Sequence, residues 1–116
     1  MIYLDYAAAA PVRKEVRKVV AEMEKYFANP SSTHYAGRKS KELLENSRER
    51  MRDLLNAEKR DKIIFTSSGT ESINLAIKGI THAYKKKGKH IITSKVEHKA
   101  VLETCKYLEQ EGFKIT

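Results

Sequence analysis

A single cysteine, Cys105, among 116 residues leaves no partner for an internal disulfide, which excludes a disulfide-stapled fold and fits a reducing compartment. Nor does any apolar run approach the roughly 18 to 20 residues that a membrane-spanning helix requires. The opening residues Ile2, Tyr3 and Leu4 have neither the basic flank nor the apolar stretch of a secretory signal. The expectation is a cytoplasmic chain with no membrane partner. Low-complexity segments and fixed-period repeats are missing too, as are the glycine-rich loop of nucleoside triphosphatases and the glycine fingerprint of dinucleotide-binding proteins. No cluster of side chains has metal-ligand spacing, so no metal is expected.

What is present is a composition of 41% hydrophobic and 33% charged residues, enough for one modest domain or a piece of a larger one. Lysine and arginine number 23 against 15 acidic residues, giving a net charge of +8. Most of these basic residues alternate with acidic ones on helix faces, as between Lys39 and Arg60, the pattern of a solvated surface. Lys85, Lys86, Lys87 and Lys89 form the one compact run, placed where a helix C-terminal dipole welcomes positive charge. No nucleic-acid recognition motif accompanies the excess charge, so nucleic acid is not an expected partner.

Apolar periodicity then orders the chain. Pro11 disfavours helix at Ala10 and suits the first turn of a helix beginning there, with Val12, Val16, Val19, Val20, Met23 and Phe27 on its buried stripe. Asn29, Pro30, Ser31 and Ser32 end it. A second helix follows Gly37, carries Ser40, Leu43, Leu44, Ser47, Met51, Leu54 and Leu55 on one stripe, and ends near Asn56. The run from Lys62 to Thr66 reads as a buried strand, and a third helix from Thr70 closes at Gly88. His90 to Thr93 reads as a second strand. Val101, Cys105 and Leu108 mark a fourth helix ended by Gly112, and Phe113 opens a third strand. This β-α-β-α-β order implies right-handed crossovers and a mostly parallel sheet flanked by helices. A three-stranded parallel sheet seldom stands alone, so Thr116 is expected to be a cut within a longer sequence.

Ligands of parallel sheets collect beyond the carboxyl ends of the strands, which directs attention to the residues after Thr66 and Thr93. Gly69 permits close backbone approach, the helix it opens offers unpaired N–H groups, and Thr70 adds a hydroxyl. These residues suit a phosphate monoester; they also suit an ordinary Ser/Thr helix cap. His98, after the second strand, lies at the same end of the sheet, either as a bland surface residue or as one that stacks on a ligand and shuttles a proton.

Four stretches together carry a family resemblance: residues 3–11, residues 29–34, residues 64–76, and Glu97 and His98 with Ala100, Val101 and Leu102. They occur in order along the whole chain, which resembles the amino-terminal part of cysteine desulfurases, pyridoxal-phosphate enzymes of the class V aminotransferase group. The resemblance implies the three-layer α/β fold of fold-type-I pyridoxal-phosphate enzymes. Residues 1–12 would form an opening segment near the substrate site, joining the small domain, and residues 13–116 the first, incomplete portion of the large cofactor-binding domain. Gly69 and Thr70 would hold the phosphate of pyridoxal 5'-phosphate, and His98 would stack on its ring and assist proton transfers as the catalytic residue of this segment. The implied reaction converts L-cysteine to L-alanine and leaves sulfur as a persulfide on an enzyme cysteine. That sulfur would pass to a sulfur-acceptor or iron–sulfur scaffold protein, and the full-length protein would be a homodimer.

The sequence departs from the family pattern at Tyr6, where many relatives have asparagine, at Ala9 and Ala10, where threonines are common, and at Ser68, in place of a frequent glycine or alanine. The family's cofactor-anchoring lysine, the acidic partner of the pyridinium nitrogen, the persulfide cysteine and the substrate-binding arginine correspond to none of these residues, so the segment by itself is expected to be inactive. Lys99 follows a histidine but matches the ring-stacking stretch rather than the anchor. Cys105 belongs to an apolar helix stripe, where a thiol packs as a small hydrophobe. His34 either borders the active site, by resemblance, or structures its loop, and His82 and His90 read as structural. Alternatives are a selenocysteine lyase or another class V relative, and a non-catalytic protein that binds a phosphorylated ligand or a desulfurase partner.

Overall fold

The computed structural model describes residues 2–116, so Met1 of the expected opening segment lies outside it. The chain divides into two compact units, Met1–Ile63 and Ile64–Thr116.

In the first unit the small residues after Asp5 form a turn, not a helix: the N–H groups of Ala8 and Ala9 both donate to the Asp5 carbonyl at 3.2 Å. The Tyr3 hydroxyl fastens this turn by donating to the Asp5 and Ala9 carbonyls, each at 2.9 Å. Helix α1 spans Lys14–Met23 and α2 spans Tyr35–Leu54. Helix α1 is shorter than its apolar period predicts. Phe27 lies beyond it and is exposed, and Val16, Val19 and Val20 remain about half exposed. Periodicity reports which face would be buried if covered, and within this unit that cover is partial.

The link to α2 is a tight turn in which the Asn29 side chain accepts from Ser31 N–H at 2.8 Å and the Asn29 carbonyl from Ser32 N–H at 3.0 Å. Gly37, buried on the first turn of α2, lets the helix lie directly on this turn: a Cβ there would stand 2.5 Å from the Ser32 carbonyl oxygen. Ser40, one turn on, is buried and donates to the Tyr26 and Ala36 carbonyls. Helix α2 ends as expected near Asn56, whose φ of 50° is the left-handed conformation asparagine tolerates. Arg48 Nε then donates to the Ile63 carbonyl at 2.9 Å, securing the end of the unit to the helix.

The second unit contains α3 (Gly69–Tyr84), β1 (His90–Ile91), α4 (Lys99–Gln110) and β2 (Lys114–Ile115). Strands β1 and β2 are parallel, with His90 opposite Lys114 and Ile91 opposite Ile115, and the bond from Thr93 N–H to the Thr116 carbonyl extends the ladder. Helix α4 packs on both α3 and β2. Its inner face, Ala100, Thr104, Cys105 and Leu108, forms the core with Phe113, and Leu108 is fully enclosed. Gly112, at φ 87°, ends α4 in the conformation glycine adopts most readily.

Two expectations are corrected. Residues 62–66 do not form a strand among the described residues, because an extended run becomes a strand only when a neighbouring strand takes its hydrogen bonds; Ile64 and Phe65 are exposed. Gly88 does not cap α3 in a left-handed conformation; α3 ends at Tyr84 and passes through a turn containing Lys85, Lys86 and Lys87. No helix among the described residues is long and apolar enough to cross a membrane.

Candidate functional site

The amino terminus of α3 is built by its own side chains. Ser68, extended at φ −165° and ψ 163°, is the N-cap, and its hydroxyl accepts from Glu71 N–H at 3.2 Å. The Ser68 carbonyl accepts from Ser72 N–H at 3.0 Å. Glu71 reaches back so that one carboxylate oxygen accepts both the Ser67 N–H and the Ser67 hydroxyl, each at 2.6 Å. Of the first helical N–H groups, those of Gly69 and Thr70 therefore remain without an acceptor, and so does the Thr70 hydroxyl. A Cβ built on Gly69 meets nothing within 4 Å, so the side of the helix start next to the Gly69 Cα is open. Two N–H groups and one hydroxyl at the positive end of a helix dipole match the three terminal oxygens of a phosphate monoester.

The Ser67 hydroxyl, and next its N–H, holds the Glu71 carboxyl below the usual carboxylate range. A lowered folded-state value means that this stabilisation is complete above the ordinary carboxylate range and is lost as pH falls through the lowered value. At neutral pH the bracing oxygen is thus ionised.

His98 caps α4 in the corresponding way. Its Nδ1 accepts from Ala100 N–H at 3.1 Å, which leaves the proton of the neutral ring on Nε2, and the ring is exposed. Among the described residues no hydrogen bond joins His98 to Gly69 or Thr70; what relates them is the direction of the two helices. Lys78 Nζ lies 4.4 Å from the Tyr107 ring, and His82 Nε2 lies 3.4 Å from Glu111 Oε2. Both pairs are offset by 29 residues, so α3 and α4 run parallel where they pack, with the starts of both helices, and so Gly69 and His98, at the same end of the unit. Both helix starts follow from the connectivity: β1 returns antiparallel to α3, α4 returns antiparallel to β1, and the two amino termini meet at the carboxyl end of β1.

The other named residues have structural partners. His34 is the N-cap of α2, its Nδ1 accepting from Gly37 N–H at 3.2 Å, so it structures its loop. His82 pairs with Glu111 and meets Phe113 edge-on, and His90 shares a 2.8 Å bond with Thr116 Oγ1. Lys99 opens α4 as an exposed residue. Cys105 is buried, and burial pushes its thiol up, away from the reactive thiolate. The Ser67–Glu71 brace is the component that motif reading leaves out. Its signal was available, since Ser68 and Glu71 stand three apart as in a capping box, although here the carboxylate returns to Ser67 instead of the N-cap N–H.

Fold and site together define an α/β protein with unpaired N–H groups at the start of one helix and an exposed imidazole at the start of the next. The aminotransferase class-V family model matches residues 2–116. The chain belongs to that family, whose members depend on pyridoxal phosphate. It is 54% identical over 116 residues to the cysteine desulfurase IscS of Dictyoglomus turgidum and 53% identical over 119 residues to that of Pseudomonas aeruginosa; each comparison covers 99% of this chain. The chain spans 29% of the length of these relatives. Among solved structures, a NifS-like protein superposes with a TM-score of 0.88 at 36% identity, covering 99% of this chain and 32% of that one. SspA in complex with cysteine superposes at 0.87 with 42% identity, covering 98% and 33%. The expected fold type I architecture is borne out by these neighbours.

Proposed function

We propose that this chain is the amino-terminal, cofactor-holding part of a cysteine desulfurase. The observation that supports it is the unpaired N–H groups of Gly69 and Thr70 at the start of α3, at the same end of the second unit as His98. The similarity to IscS proteins and to a structure in complex with cysteine supports L-cysteine as the substrate. Pyridoxal phosphate, when bound, supplies the electron sink for bond breaking at the substrate. Gly69 and Thr70 would hold its phosphate, and His98 would face its ring; with Nδ1 occupied by Ala100 N–H, Nε2 is the atom that would give and take a proton.

In the net reaction the Cβ–S bond of L-cysteine breaks and an S–S bond forms on an enzyme thiol, giving L-alanine and a persulfide. A sulfur-acceptor or iron–sulfur scaffold protein takes that sulfur, and the enzyme works as a homodimer in the cytoplasm.

The full-length protein loaded with pyridoxal phosphate tests this reading. With L-cysteine and a dithiol reductant, alanine and sulfide are expected in equal amounts. Absence of alanine at saturating cofactor and cysteine would overturn the reading, and activity confined to L-selenocysteine would replace it with a lyase.

A further inference from the structure

The geometry points to Glu71 as the positioning residue that keeps the phosphate donors of Gly69 and Thr70 available, an inference that rests on the reading of α3 as the cofactor-phosphate site. Without Glu71, Ser67 has its own N–H and hydroxyl to place, one residue before the cap, and a loop free to use them would compete with the two helix donors. One Glu71 oxygen takes both at 2.6 Å. On the other side, Thr66 Oγ1 and Ser72 Oγ share a 2.6 Å hydrogen bond and lie 3.1 and 3.3 Å from the Ser68 carbonyl oxygen, so one hydroxyl donates to the other, which donates to that carbonyl. Residues 66–68 are thereby tied to the first turn of α3 from two sides. The N–H groups of Ser67, Glu71 and Ser72 are consumed within the protein, while those of Gly69 and Thr70 are left for a ligand.

A carboxylate one turn from a bound phosphate repels it, so the residue's value must lie in its acceptor oxygen and not in its charge. Glutamine keeps an acceptor oxygen at the same reach and removes the charge. Alanine removes both. The two substitutions therefore separate bracing from electrostatics.

The test uses the full-length protein and compares its affinity for pyridoxal phosphate with that for pyridoxal, which lacks the phosphate; the ratio isolates the phosphate contribution. Glu71→Ala is expected to lower this ratio about tenfold, the loss of about one hydrogen bond's worth of organisation, while Glu71→Gln stays within about threefold. An unchanged ratio in Glu71→Ala, an equal fall for both ligands, or equal damage by glutamine and alanine would each overturn the brace. The Thr70→Ala variant keeps the two levels apart. If it lowers the ratio and Glu71→Ala does not, only the brace fails; if the parent protein shows no preference for the phosphorylated ligand, the site itself fails.

Discussion

Leu108→Ala is expected to destabilise the second unit by about 3 kcal/mol, within the range of about 2–5 kcal/mol found for buried leucines. Leu108 is the one fully enclosed large side chain among the described residues, on the face of α4 that also carries Ala100, Thr104 and Cys105. Its backbone is held as firmly as its side chain: the Leu108 carbonyl accepts from Phe113 N–H at 3.1 Å, and Gly112 fixes the turn that brings Phe113 back. With the helix end pinned, α4 cannot sink to close the void, so both the transfer loss and the cavity term apply. Amide hydrogen exchange along α4 reads the effect as a roughly 100-fold faster exchange of its protected amides. Less than a fivefold change would mean that Leu108 is not a keystone of the unit.

Gly37→Ala is expected to destabilise the first unit, although alanine is the better helix former by about 1 kcal/mol. The new Cβ would stand 2.5 Å from the Ser32 carbonyl oxygen, 2.7 Å from Ser32 Cβ and 2.9 Å from the Asn29 carbonyl oxygen. Two of these are backbone atoms of a turn held by the Asn29 side chain, so they cannot swing away as a flexible side-chain end would. Overpacking of this kind costs about 1–3 kcal/mol and outweighs the gain in propensity. Denaturant unfolding measures it as a lower midpoint with an unchanged slope. A higher midpoint would show that the turn yields and that α2 does not depend on this close approach.

These two sites also show what was legible in the sequence. The face carrying Cys105 and Leu108 and the glycine after it predicted α4 and its end, because period and cap signal act within one segment. The helix start that carries the Gly69 and Thr70 N–H groups was legible for the same reason. The apolar stripe of α1 and the run at residues 62–66 were not: each is apolar enough to be covered, but burial and strand pairing depend on a second element that the local pattern does not contain. Gly37 was read only as a helix start, since its closeness to Ser32 exists only after the turn folds back. The parallel packing of α3 and α4 is read from the pairing of Lys78 with Tyr107 and His82 with Glu111, long-range contacts that no local motif encodes.

The central claim is that the amino terminus of α3 holds the cofactor phosphate, and the affinity of the full-length protein for pyridoxal phosphate, measured in Thr70→Ala and in Lys99→Ala, tests it most directly. Loss of the Thr70 hydroxyl removes a hydrogen bond to a charged group, worth about 1.5–3 kcal/mol, so binding is expected to weaken about 10- to 100-fold. Lys99 is an exposed residue at the start of α4, and its truncation is expected to change affinity less than twofold. The reverse ranking, with Lys99→Ala crippling binding and Thr70→Ala leaving it intact, would contradict the assignment of the site.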